Sequence, residues 1–253
     1  MSTSALIILV LVFFITTAIG VVTGGNSLIT VPVMFQFGME PKTAVATNMF
    51  GLMFMSIGAS IPFLRKGAVD PKKLSPLIAL TLVGSALGAL LVSWISDKTI
   101  PIIVSVAMIA VSIFILVKRN AGLSVPSAVA DGFSQSLAIA YILTFLLGIY
   151  GGLYSGGYVT VLTSVFVAFL GMTFSEAVAG TKFINIFSSA IASIVFMWQG
   201  LVDYKLGAIL AVTMFFGAYI GAHFVTKLND LWLKRIFLTT VLLLAVKTIF
   251  DFI

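Results

Sequence analysis

The sequence predicts an all-α, polytopic membrane protein made of two inverted-topology repeats of about five helical elements each, with a short half-helix after a Gly-Gly break in both. Three observations predict it. Of 253 residues, 60% are hydrophobic and 9% charged, where soluble domains run near 45–50% apolar and roughly 25% charged. The chain repeats itself once at a fixed separation. The basic loops of the two copies are displaced from each other by one helix.

Apolar segments bounded by Gly, Pro, Asp and basic residues fall at about 4–22, 26–37, 43–64, 74–95 and 99–118. The same order returns at about 135–153, 158–170, 176–198, 204–226 and 232–252. Several reach the ~20 residues that a helix rising ~1.5 Å per residue needs to cross ~30 Å of hydrocarbon. Residues 1–119 form the first repeat, 120–134 a polar cytoplasmic linker holding Gly, Ser, Pro and Asp131, and 135–253 the second. No Lys or Arg precedes the first run, so it is expected to be a retained helix rather than a signal peptide.

Residues 38–52 and 171–185 align without a gap, 133 positions apart. The register extends outward, matching Gly24 with Gly157, Thr30 with Thr163, Ser56 with Ser189 and Asp70 with Asp203. Gly84 and Gly88 match Gly217 and Gly221 in the same way. Apolar matches carry little weight in such a composition; those at Gly, Asp and Ser carry the argument.

Loops rich in Lys and Arg stay in the cytoplasm. Arg65, Lys66, Lys72 and Lys73 place the loop before residue 74 inside, and two crossings later Lys118 and Arg119 agree. In the second half the basic loop is Lys227, Lys234 and Arg235, one helix later than its counterpart. The halves are therefore expected to be inverted, as an odd number of elements per half produces, with both termini extracytoplasmic. The net charge of +6 follows from this topology and gives no reason to invoke nucleic acid.

One element in each half is short: 26–37 and 158–170 span only about 18–20 Å as helices. Each follows a glycine pair, Gly24-Gly25 or Gly156-Gly157. Short, Gly-interrupted segments at matching positions of two halves are the best sequence pointer to a transporter's binding site. A half-helix starting at Gly24-Gly25-Asn26-Ser27, or at Ser155-Gly156-Gly157, would present unpaired N–H groups and a positive dipole end to an anion. The competing reading of the glycines is close helix packing.

Lys182 is a cation about 9 Å into its helix at ~1.5 Å per residue, a functional position by default; snorkelling to the cytoplasmic face is the alternative. Thr181, Asn185 and the twin pair Thr47-Asn48 supply short donors at equivalent places; interhelical hydrogen bonding would also account for them. The acids fall in loops or at helix ends, where Asp70, Asp203, Asp97 and Asp230 read as N-caps. Without an intramembrane carboxylate a cation substrate is disfavoured. Zero cysteines and the single His223, read as a packing residue, leave no metal site. No cofactor and no catalytic pair is indicated, so the chain is not expected to be an enzyme.

Two inverted halves, each with a Gly-Gly break, a short helix, then Gly-Met followed by Ala-Val-Ala-Thr-Asn (44–48) or Ala-Val-Ala-Gly-Thr-Lys (177–182), and a later Gly-x-Val-Asp (67–70, 200–203), resemble the TauE/SafE sulfite and sulfonate exporters, also called the toluene sulfonate uptake permease family. The resemblance covers nearly the whole chain. It implies a multi-pass permease of the cell inner (plasma) membrane that exports sulfite, sulfoacetate or related organosulfonates by alternating access. The partners implied are a small anionic substrate and the lipid bilayer, with a homodimer compatible. The anion would sit between the half-helix N-termini, bonded by Ser27, Thr47, Asn48 and Thr181 and charge-paired with Lys182. A passive anion channel and a non-transporting membrane assembly subunit are the alternatives.

Overall fold

The computed structural model describes residues 3–117 and 133–229, together with Trp232, Arg235 and Thr239. Its elements are α1 (Thr3–Thr23), α2 (Ser27–Gln36), α3 (Pro41–Arg65), α4 (Pro71–Trp94), α5 (Thr99–Val117), α6 (Phe133–Leu153), α7 (Tyr158–Leu170), α8 (Phe174–Trp198) and α9 (Tyr204–Val225). The chain is all-α among the described residues. Among the described residues six helices are long and apolar enough to cross a membrane: α1, α3, α4, residues 136–153 of α6, α8 and α9. The expected linker, apart from 133 and 134, which already belong to α6, and the expected tenth segment, apart from Trp232, Arg235 and Thr239, lie outside the described residues.

The 133-residue register is visible in the helix boundaries. The helices α3 and α8 begin and end at equivalent positions, and α4 and α9 begin at equivalent positions. Local chemistry sets these starts. Asp70 accepts from the N–H groups of Lys72 and Lys73, and Asp203 from that of Leu206. Thr173 and Glu176 form a reciprocal capping box at α8; such caps each contribute about 1 kcal/mol. Asp97 differs from expectation: before α5 it is the Ser96 and Thr99 hydroxyls that pair, at 2.7 Å.

Equivalent glycines make equivalent close contacts. A Cβ at Gly84 would lie 2.7 Å from the Phe145 carbonyl oxygen of α6, and one at Gly217 would lie 2.9 Å from that of Phe14 in α1. Gly88 and Gly221, one turn later, press on the Ile149 and Ala18 carbonyls. In lipid, small residues spaced by four let helix backbones approach, and dispersion contacts hold them. The partners are exchanged between halves. The helix α4 packs against α6 and α8, while α9 packs against α1 and α3, and α3 crosses α8 between these two groups.

The short helices resolve a question the sequence leaves open. Leu6 near the start of α1 and Gly38 and Met39 after α2 line one cavity with Asp203, so this pair enters and leaves at the same end of the bundle. At the other end the Ser136 hydroxyl, near the start of α6, donates to the Phe169 carbonyl at the end of α7 (2.8 Å). Both pairs are re-entrant hairpins. Their turns need glycine: Gly24 has φ +69° and Gly157 φ +78°, a region costly to residues with a Cβ.

The outer surface is consistent with lipid contact. Trp94 and Trp198 end α4 and α8 and are 86% and 80% exposed, as interfacial aromatic anchors are. His223 is also exposed, on the last turn of α9, rather than packed inside as its solitary occurrence suggests. Its ring stands 6.3 Å from that of Phe224.

Candidate functional site

The tips of the two hairpins meet in the interior. The Thr160 hydroxyl donates to the Thr23 carbonyl (2.5 Å), and the Tyr154 hydroxyl donates to the Ser27 carbonyl (3.0 Å). Ser27 and Ser155 approach each other, Oγ to Oγ, at 3.5 Å. A Cβ on Gly24 would fall 2.7 Å from the Thr160 nitrogen, so glycine here permits the approach itself as well as the turn. On the second hairpin Gly156 lies against the Tyr154 ring, and its carbonyl accepts from the Tyr150 hydroxyl. Segments 24–27 and 155–158, expected to face each other, therefore do so, and the N-terminal ends of α2 and α7 converge there; the N–H groups of Leu28, Ile29 and Tyr158 are already taken by the carbonyls of Gly25, Asn26 and Ser155.

Equivalent bonds tie each short helix to the long helix after it. On one side Thr30 donates to Asn48 Oδ1 (2.8 Å), and Asn48 Nδ2 donates to the Ser27 hydroxyl (3.0 Å). On the other, the hydroxyls of Thr163 and Thr181 lie 3.2 Å apart. Thr30 and Thr163, and Asn48 and Thr181, occupy matching positions in the 133-residue register. The remaining expected donor, Asn185, stands where α3 and α8 cross, its Nδ2 donating to Ser56 Oγ at 2.7 Å.

Lys182 does not snorkel. It is 2% exposed, and its Nζ donates to the Gly20 carbonyl in the last turn of α1 (2.8 Å). That carbonyl also accepts from the Gly24 N–H (2.9 Å). A Cβ on Gly20 would touch Asn26 Cβ at 3.1 Å, which places Asn26 beside the lysine's acceptor. Asn26 is 3% exposed, and neither atom of its side-chain amide has a hydrogen-bond partner. A buried amide without partners costs about 1–3 kcal/mol.

Thr47 is the expected donor that is not brought in. Its hydroxyl accepts the N–H of Asp203 at the start of α9 (3.0 Å). Gly180, its equivalent, sits against Leu74 at the start of α4, so these positions seat neighbouring helices. Conversely, reading the sequence misses Tyr154, Thr160 and Thr23 as tip residues. Thr160 had a usable signal, since it is the register partner of Ser27; Tyr154 had none, because its partner is Val21.

Two cavities open toward opposite ends of the bundle and are related by the same register. One, of about 500 Å³, lies among Gly67–Asp70, Leu170–Met172 and the starts of α4 and α8. The other, of about 420 Å³, lies among Phe37–Met39, the start of α1 and the start of α9.

The family described as sulfite exporter TauE/SafE matches residues 8–248. The chain is 28% identical over 240 residues to a probable membrane transporter protein, ORF9, of Sinorhizobium sp, covering 94% of this chain and 90% of that one. It is 26% identical over 251 residues to a probable membrane transporter protein of Haemophilus influenzae, covering 97% and 95%. With the probable membrane transporter protein YfcA of Escherichia coli K12 it shares 26% identity over 248 residues, covering 97% and 91%. No solved structure matches the chain.

Proposed function

The chain belongs to the sulfite exporter TauE/SafE family and is a multi-pass membrane transporter, and from that premise we propose that it exports small sulfur-containing anions, such as sulfite, sulfoacetate or related organosulfonates, across the cell inner membrane. The observation that carries this reading is Lys182, a buried lysine beside the converging hairpin tips and next to the unpartnered amide of Asn26. Sulfonate and sulfite oxygens accept from backbone N–H, hydroxyl, amide and ammonium groups, and those are the donors gathered here.

The route is alternating access between inverted repeats. Its support is the pair of register-related cavities at opposite ends, each bordered by a Gly-Met turn and by the start of a long helix. Arg65, Lys66, Lys72 and Lys73 gather at one end, and the Lys66 ammonium donates to the Thr226 carbonyl there. That end is the cytoplasmic one by its basic residues, which leaves the chain's first residues outside. The close contact of the two tips between the cavities favours a carrier over a passive anion channel.

Flux of sulfite and sulfoacetate into proteoliposomes tests the assignment. Lys182→Ala is expected to lower it by about tenfold or more, since the site's charge partner is gone. Unchanged flux in a variant that remains folded removes Lys182 from the site.

A further inference from the structure

We infer that the end of the bundle where α3 and α9 finish is a seat for an anionic phospholipid, its phosphate held by Arg65 and Lys227 and its acyl chains laid along the exposed face of α9. The seat is separate from the hairpin tips and holds whichever solute they take. Its form is seen first at the other end. There Leu87, Leu91, Ser93 and Trp94 of α4, with Trp198 and Gln199 at the end of α8, border an open groove of about 770 Å³. Both tryptophans are exposed, and the groove's walls are almost wholly hydrocarbon, as suits acyl chains beneath an aromatic rim.

The 133-residue register carries that groove to the opposite end with its rim changed. Leu87 and Leu91 are matched by Ile220 and Phe224, both exposed, and Ser93 by Thr226. Trp94, Trp198 and Gln199 are matched by Lys227, Arg65 and Lys66. The two helices touch here, since the Lys66 ammonium donates to the Thr226 carbonyl, and Arg65 and Lys227 are the chain neighbours of these two residues. The apolar wall is kept and the rim has become cationic. Lys227 Nζ stands 5.9 Å from the centroid of the exposed Phe224 ring, and Arg235 over Trp232 repeats the pairing at 5.3 Å. A cation lying on an exposed ring suits headgroup depth, where the ring meets hydrocarbon and the charge meets polar oxygens. Among the described residues the ion pair at this end is Lys73 with Asp70, at 3.9 Å, which leaves Arg65, Lys66 and Lys227 without a carboxylate. The complement of such a surface is one molecule with a negative head and hydrocarbon tails. A free phosphate would match the charges and leave Ile220 and Phe224 uncovered.

Native mass spectrometry of the purified full chain, with phosphatidylglycerol and phosphatidylcholine of identical acyl chains, tests the seat. Phosphatidylglycerol is expected to bind at least about tenfold more tightly. Arg65→Gln/Lys227→Gln should bring the two lipids within about twofold. Lys72→Gln/Lys73→Gln removes as many cations from the same end but away from the seat, and should keep the preference. Lys227→Trp, which installs the residue found at the matched position 94, should cut it about threefold. Equal binding of the two lipids by the parent protein overturns the inference whatever the variants do. A preference that survives both changes at Lys227, or one lost equally in Lys72→Gln/Lys73→Gln, also overturns it, because the basic residues then set topology alone. Glycerol phosphate that competes as well as phosphatidylglycerol would make the occupant a free anion and end the lipid assignment. No readout here involves the hairpin tips, so failure leaves the transport reading standing.

Discussion

Ser56 and Ser189, matched in the 133-residue register, hold opposite ends of one amide: Asn185 Nδ2 donates to Ser56 Oγ at 2.7 Å, and Ser189 Oγ donates to Asn185 Oδ1 at 3.3 Å. All three side chains are buried. The bridge lies where α3 crosses α8, so it fixes the relation of the two long helices that carry Asn48, Thr181 and Lys182. It is asymmetric, since the residue equivalent to Asn185 is Leu52.

Replacing Asn185 by that equivalent residue tests the bridge. Asn185→Leu leaves two buried hydroxyls without the amide, and a loss of about 1–2 kcal/mol is expected. It should appear as a lower midpoint of thermal unfolding in detergent. Flux should fall as well if the crossing positions the lysine.

The hairpin tip predicts a contrast between two glycines that share a left-handed backbone. Gly24 and Gly38 have φ +69° and +78°, but only Gly24 has neighbours, while nothing lies within 4 Å of a Cβ at Gly38. Gly38→Ala should cost about 1 kcal/mol from conformation alone. Gly24→Ala should cost at least about 2 kcal/mol more through collision with Val159 and Thr160, and should stop transport.

A similar contrast holds within the helices. Gly88→Ala would drive a methyl into the α6 backbone and should destabilise by more than about 2 kcal/mol. At Gly180 a methyl would meet Leu74 at 3.5 Å, ordinary contact distance. Gly180→Ala should therefore be neutral or stabilise by up to about 1 kcal/mol. Unfolding midpoints of the two variants against the parent protein decide it.

The absence of cysteine makes topology directly measurable. Lys72 and Lys205 are register partners, both exposed, in the first turns of α4 and α9. In intact cells a membrane-impermeant maleimide should label Lys205→Cys and spare Lys72→Cys. Labelling of both from one side would refute the inverted arrangement.

Helix boundaries, the two short helices and Lys182 were legible because each leaves a local mark: a cap, a glycine pair or a charge in an apolar run. Lateral neighbours were not. An apolar face toward lipid and one toward another helix have the same composition, so nothing along the chain told that α4 would lie on α6 and α8, or that Thr47 would receive the Asp203 N–H. The re-entrant course of the hairpins was hidden for a related reason, since α1 is long enough to span the bilayer and only its contacts show that α2 brings the chain back. Asn185 was singled out as a donor, yet its two serine partners are a property of the crossing.

The exchanged seating of α4 and α9 bears on what the two ends of the polypeptide can do apart. A polypeptide severed beyond residue 117 would give fragments that each keep a long helix whose proper bed is in the other piece. The seats of α4 and α9 therefore join the two ends of the polypeptide, and neither fragment alone would keep them.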